Sequence, residues 1–366
     1  MNIIIFLIIL AVLVLVHEFG HFIVAKKNGV RVDEFGLGFP PRIFGKKFGE
    51  TEYTLNALPF GGFVKIFGEN AEDLETPGGV IEDRSRSLMY KSKLVQASVL
   101  AAGVTFNIIF AWLVISFGLV FGLPTAVDST NISNVRDAKL VVSSVMPKSP
   151  AEDSGIKAGD ILLSLKTETA TLSENLNPEN VRAFISTSEG KISVSYKHGS
   201  TGAIAEVEPK EGIIANGKAV GISMDMVGTV SYPIHKAIVE GGLMTARLFK
   251  NITIGIYHFF ADALFGRADL SSVAGPVGMV ALVGDARDLG FAYLIFFTAL
   301  LSINLAVINL VPFPALDGGR LVLVLIEAIK GSPIKPKFVQ TVNALGFGLL
   351  IFLMLFVTYH DIAKLF

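Results

Sequence analysis

Three residues near the N-terminus have the types and spacing of a metal site. His17, Glu18 and His21 lie in the stretch LVHEFGHFIVA, residues 15–25. On a helix, positions i and i+4 project from one face, so the two imidazoles can share one Zn²⁺. The carboxylate beside the first imidazole can then take a proton from a water activated there. The setting sharpens this reading. Every residue from Ile3 to Val16 is apolar, and Ile3 to Ala25 is long enough to cross a bilayer core, which needs roughly 20 residues. Ionisable groups inside hydrocarbon are costly unless paired or coordinated. A chance match, or histidines merely near an interface, is the plainer alternative. The expectation is a zinc hydrolase whose site lies within a membrane.

A catalytic zinc usually has three protein ligands and one open position. No third histidine follows at the spacing of the longer HExxHxxGxxH motif. The chain has no cysteine, so the third ligand must be His, Asp or Glu. Asp33, Glu34, Glu50 and Glu52 lie in a polar loop where solvated charge is the default. Asp317 sits in PFPALDGGR, Pro312 to Arg320, between prolines that interrupt a helix end and glycines that permit close backbone approach. From spacing alone two roles stay open for Asp317: metal ligand, or N-cap of the apolar helix that follows from Leu321.

The elements that must carry these residues are membrane spans. Of 366 residues 51% are hydrophobic, and mean hydropathy is +0.59, too apolar for a soluble enzyme. A net charge of −1 gives no reason to expect a nucleic-acid partner. The N-terminus lacks a basic leader region and a small-residue cleavage site, so it reads as a retained span rather than a signal peptide. Eight segments are expected. A first span covers 1–25, and a loop covers 26–93. A second span covers 94–123, and a soluble insert covers 124–233. Amphipathic or interfacial helices and a Gly-Pro-Val-Gly loop cover 234–290. A third span covers 291–317, a short helix with a basic loop 318–337, and a fourth span with the C-terminus 338–366.

Eleven Lys and Arg residues between 26 and 93 place that loop in the cytoplasm and the N-terminus outside. The insert has no basic residue near its start before Arg136, which fits the extracytoplasmic side. Lys330, Lys335 and Lys337 bring Asp317 to the same membrane face as His21. Within the loop, Val32 to Phe67 is rich in Gly and Phe, and Thr51 to Leu58 alternates as a strand, with FGKKFGE before it as a turn. A small membrane-dipping sheet is expected, serving either as a plug or as an edge that accepts an extended substrate. Asn107 in the second span is either helix–helix glue or a donor to a reacting carbonyl. In the insert, Ser149 caps a short helix stopped by Gly155, with a second helix over Val181 to Ile185 and a strand over Lys191 to Tyr196. His258 reads as structural or interfacial, and His198, His235 and His360 have no partner pattern.

HEFGH in a first membrane helix, Gly103-xxx-Asn107 in a second and NLVPFPALDGG (Asn309 to Gly319) in a later one resemble the site-2 protease family of intramembrane metalloproteases. The likeness extends to PFGGFVKIFGE (Pro59 to Glu69) and GPVGM (Gly275 to Met279). SPAEDSGIKAGDILLSL (Ser149 to Leu165) resembles a PDZ domain, and the segment order is that of the bacterial RseP-type subgroup with a single PDZ domain. The fold implied is an α-helical polytopic membrane protein with four transmembrane helices, a small membrane-associated β-sheet and one extracytoplasmic α+β PDZ domain. The resemblance implies His17, His21 and Asp317 as Zn²⁺ ligands and Glu18 as general base and acid. It implies Asn107 in substrate binding or transition-state stabilisation and Asn309 in substrate contact. The implied activity is zinc endopeptidase cleavage of single-span membrane proteins, such as anti-sigma-factor-like regulators or remnant signal peptides, in the bacterial cytoplasmic membrane. Expected partners are those substrates, membrane lipid and an extracytoplasmic peptide ligand of the PDZ domain. Two rivals stand beside this reading. One is a catalytically silent adaptor presenting a PDZ domain. The other is a metal transporter, against which four spans, one ionisable cluster and no visible inverted repeat count.

Overall fold

The structure is a computed structural model describing residues 1–69, 84–127, 135–199, 201–213, 217–267 and 273–363. The helix α1 (Asn2–Lys27) is an apolar run with no breaker, ending in two lysines. Strands β1 (Val32–Phe48) and β2 (Thr51–Ile66) follow, then two 3₁₀ turns and α2 (Lys93–Phe121). Next come β3 (Leu123–Ala126), β4 (Val135–Val145), α3 (Pro150–Asp153), β5 (Ile161–Lys166), β6 (Thr171–Leu172), α4 (Pro178–Thr187), β7 (Ile192–His198), β8 (Thr201–Val207), β9 (Lys210–Glu211), β10 (Lys218–Ala219) and β11 (Ile222–Val230). The chain closes with α5 (Ile234–Leu264), α6 (Pro276–Leu289), α7 (Phe291–Leu310), α8 (Asp317–Lys330) and α9 (Pro336–Ala363). Among the described residues, four helices are long and apolar enough to cross a membrane: α1, α2, α7 and α9. Most of α9 is exposed along its apolar length, as a lipid-facing helix is, whereas α1 and α7 are mostly half-buried.

Two compact units result. The first comprises Met1–Val114, Gly241–Val283 and Thr298–Phe366. Its sheet is built from β1 and β2 folded back on themselves. Residues 34–37 pair with 62–65 on one side and with 52–55 on the other, and 42–48 pair with 51–56. The strand 62–66 is therefore an edge, with no further strand paired to it among the described residues. The expected turn at FGKKFGE is shorter than the sequence suggested. Phe44 to Phe48 stay in the strand and only Gly49 and Glu50 turn, because each of 44–48 finds a ladder partner in 51–55. Ion pairs tie the sheet and its flanking turns to the helix ends, and one helix to another. Glu50 pairs with Lys26 at 2.6 Å and with Arg86, Arg320 pairs with Glu69, and Lys93 with Glu327 at 2.5 Å.

The second unit comprises Ile115–Glu240 and Gly284–Phe297. Its sheet runs in the order β3-β11-β4-β5-β7-β8, with β6 on β5. Val181 and Ile185 on α4 join Leu140, Leu165, Ile192 and Val207 in its apolar core. The helix and strand read from Val181–Ile185 and Lys191–Tyr196 correspond to α4 and β7. Ser149 caps α3, accepting from the Glu152 amide at 3.3 Å, and Gly155 ends the turn with φ +80°. His198, which has no sequence pattern, has a partner in space. Its Nδ1 lies 2.6 Å from an oxygen of the buried Asp160.

Candidate metal centre

The site lies within the first unit, where α1, α2 and the start of α8 meet. Helical spacing sets His17 and His21 on one face of α1, with ring centroids 4.9 Å apart, edge to face. Both rings are buried. Asp317 Oδ2 lies 3.0 Å from His17 Nε2 and 3.2 Å from His21 Nε2. The alternative role for Asp317 can be judged directly. The N-cap of α8 is Leu316, no side chain caps that end, and Asp317 is the first helical residue with its carboxylate turned to the histidines. Ala315, just before, has φ +73°, and Asn343 of α9 accepts a hydrogen bond from its amide at 3.3 Å. That strained, pinned turn aims the aspartate. Gly318 follows at a point where a Cβ would strike the carbonyls of Leu310 and Val311, so only glycine lets the chain double back here.

The other acidic candidates are occupied elsewhere. Asp33 pairs with Arg31 at 2.8 Å, Glu34 accepts from Thr54 Oγ1 at 2.6 Å, Glu50 is held by Lys26 and Arg86, and Glu52 by Arg42. Lys26 first and Arg86 second hold the Glu50 carboxyl below its ordinary range.

A cavity of about 340 Å³ opens onto this cluster. His17, Glu18, His21, Asn309 and Asp317 line it, as do Phe63, Val64 and Ile66 of the sheet edge. The backbone of Val64 lies close to Glu18. Glu69 also lines the cavity, its side chain paired with Arg320 in the first turn of α8. Asn107 is placed differently. It is fully buried, is absent from the cavity wall, and sits with Nδ2 3.1 Å from His17 Nδ1. Asn304 donates to Leu300 O of its own helix at 2.9 Å and takes no part.

The residues fit a metal ion. The ligand atoms of His17, His21 and Asp317 lie within 4.8 Å of one another, and the buried Asp317 Oδ2 has no hydrogen-bond partner. Two imidazole nitrogens and one carboxylate oxygen are the donor set of a catalytic zinc with one open position. Sequence reasoning missed two backbone contributors. The Val99 carbonyl lies 2.8 Å from His21 Nδ1, and the Val64 backbone meets Glu18. Side-chain patterns carry no signal for either, whereas Glu69 lay in a motif already singled out.

Buried histidines, a convergent aspartate and a glutamate on the same cavity, among helices apolar enough to span a bilayer, define a membrane-embedded zinc hydrolase. Residues 5–353 match the model of peptidase family M50. A Clostridium perfringens protein provisionally named a zinc metalloprotease is 37% identical over 99% of this chain and 98% of its own length. The zinc metalloprotease RasP of Oceanobacillus iheyensis is 28% identical, over 99% of this chain and 98% of its own length. A Nostoc protein, also provisionally named a zinc metalloprotease, is 33% identical over 98% and 94%. The chain belongs to peptidase family M50, the site-2 proteases, and is a zinc metalloprotease.

Proposed function

We propose that this chain cleaves single-span membrane proteins at a site near the cytoplasmic face of the bacterial inner membrane. The observation that carries the reading is the cluster of His17, His21 and Asp317 facing the same cavity as Glu18 and a sheet edge to which no further strand pairs among the described residues. Zinc held by those three side chains would act as a Lewis acid and lower the pKa of bound water. Glu18, on the cavity wall beside them, takes the proton from the attacking water and later delivers it to the leaving amine. Asn309, on the same wall, contacts the substrate backbone. A helical substrate hides its peptide bonds, so it must be extended before cleavage. The edge at 62–66 offers main-chain hydrogen bonds to such a strand and holds it against Glu18.

The topology follows from the positive charges. The loop 26–93 and the 330–337 segment are cytoplasmic, and the insert 124–233 is extracytoplasmic. That insert acts as a single PDZ domain that gates access by size or by binding a peptide. A cavity of about 730 Å³ between α4 residues Arg182 and Ile185 and the start of β11 supports a peptide ligand. Substrates are anti-sigma-factor-like regulators or remnant signal peptides.

The test is cleavage of a panel of single-span reporters by wild type and by Glu18→Gln, with zinc content measured on both. Both proteins binding about one zinc, with only wild type cleaving, is the expected result. A zinc-loaded wild type that leaves every reporter intact, including those with the ectodomain removed, overturns it in favour of a PDZ-presenting adaptor.

A further inference from the structure

One face of α2 is built around the two histidines. Val99, Gly103 and Asn107 recur every four residues and so lie in one row. The Val99 carbonyl meets His21 Nδ1 at 2.8 Å. At Gly103 the rings come so close that a Cβ would overlap His21 Nε2 and lie 2.7 Å from His17 Cε1. Asn107 meets His17 Nδ1 at 3.1 Å. Each histidine thus has its outer nitrogen held by α2 and its inner nitrogen turned to Asp317.

We propose that Asn107 is the positioning residue of the metal ligand His17, accepting the Nδ1 hydrogen through its side-chain oxygen so that Nε2 keeps its lone pair for the ion. This rests on the zinc reading above. A neutral imidazole has one N–H and one lone pair. A ring that ligates through Nε2 carries its hydrogen on Nδ1, so its Nδ1 partner must accept. For His21 that partner is a carbonyl, which can only accept. For His17 it is an amide, whose two ends are nearly the same shape. With Nδ2 toward the ring, the hydrogen would sit on Nε2 facing Asp317. Turned by half a turn, Oδ1 takes the Nδ1 hydrogen and the inner lone pair faces Asp317. The Oδ1 atom has no other partner to lose by turning.

The placement also separates this role from direct contact with substrate. Asn107 is fully buried and does not reach the cavity, whereas Asn309 lines it. The Asn107 backbone carbonyl is separately fixed by Ser302 Oγ of α7 at 2.9 Å. The side chain and the backbone of Asn107 therefore have different partners and can be tested apart.

The experiment measures zinc affinity by chelator competition on the purified full chain in detergent, with thermal unfolding of each variant. Asn107→Leu keeps the shape and removes the acceptor, and should weaken zinc binding about 10- to 100-fold. Asn107→Asp keeps an acceptor and has no N–H to donate, and should bind zinc within a few-fold of wild type. Ser302→Ala leaves the amide intact and should not change zinc affinity, whatever it does to unfolding. Unchanged zinc affinity in Asn107→Leu overturns the proposal, as does an equal loss in Asn107→Leu and Ser302→Ala, which would mark helix packing as the cause. Loss in Asn107→Asp as large as in Asn107→Leu overturns it too, since a donor would then be what matters. In each of those cases a zinc-loaded, cleaving wild type leaves the protease reading standing. A wild type that binds no zinc overturns both.

Discussion

Replacing Gly103 by alanine should separate the helix from its site. Two effects act in opposite directions. Alanine in a helix interior is favoured over glycine by about 1 kcal/mol, so α2 alone would gain. The new methyl would overlap His21 Nε2 and stand 2.7 and 2.8 Å from His17 Cε1 and Nε2. Ordinary carbon contacts begin near 3.5 Å, so the rings or α2 must move by roughly 0.7 to 1.1 Å. Overpacking of this kind costs about 1–3 kcal/mol, enough to cancel or exceed the helix gain. The functional cost is larger. Productive sites tolerate displacements of about 0.5 Å, and a 1 Å misplacement can cost about 100-fold. Gly103→Ala should therefore fold, with unfolding shifted by no more than about 2 kcal/mol, while zinc affinity and reporter cleavage fall together by about 100-fold. Gly255 of α5 has open space where a Cβ would go, so Gly255→Ala is the control and should leave both unchanged. Wild-type zinc binding and cleavage in Gly103→Ala would refute the claim that close approach of α2 seats the imidazoles.

Two further predictions concern the frame around the site. Asp361 near the end of α9 accepts from the Gly278 amide in the first turn of α6 at 2.8 Å, so it caps that helix from outside. Asp361→Ala should cost about 1 kcal/mol by thermal unfolding and Asp361→Asn much less, and equal losses would refute the cap. The lowered Glu50 carboxyl gives a pH dependence. Its folded pKa lies below the unfolded value of about 4.5, so its contribution is complete above that value and is lost as pH falls through the folded one. Unfolding midpoints measured from pH 6 downward should fall less steeply in Glu50→Gln than in wild type, and identical slopes would refute the link.

The chemistry was legible in the sequence because its central residues form unusual local patterns. A His-Glu-His cluster inside an apolar run and an aspartate between prolines and glycines stand out without coordinates. The role of Asp317 stayed open there, because a helix start and a metal site both suit an aspartate, and the cap position proved to be Leu316. Asn107 was visible as a polar group in a span, yet its partner was not, since contact between α1 and α2 is invisible to spacing within either. The His198–Asp160 pair was hidden for the same reason: strand pairing brings together residues 38 apart in sequence. The length of β1 through Phe48 was missed because Lys46 and Lys47 read as turn residues, while their ladder partners Tyr53 and Glu52 hold them in the strand.

The distance along the chain between the proposed ligands has a consequence in time. His17 and His21 emerge at the start of synthesis, and Asp317 about three hundred residues later. At 5–20 residues per second, that gap is roughly 15 to 60 s. Throughout it the first helix can enter the membrane carrying two histidines and a glutamate but no third ligand. On the proposed ligand set, a chain cut short before α8 lacks the aspartate that completes the metal centre.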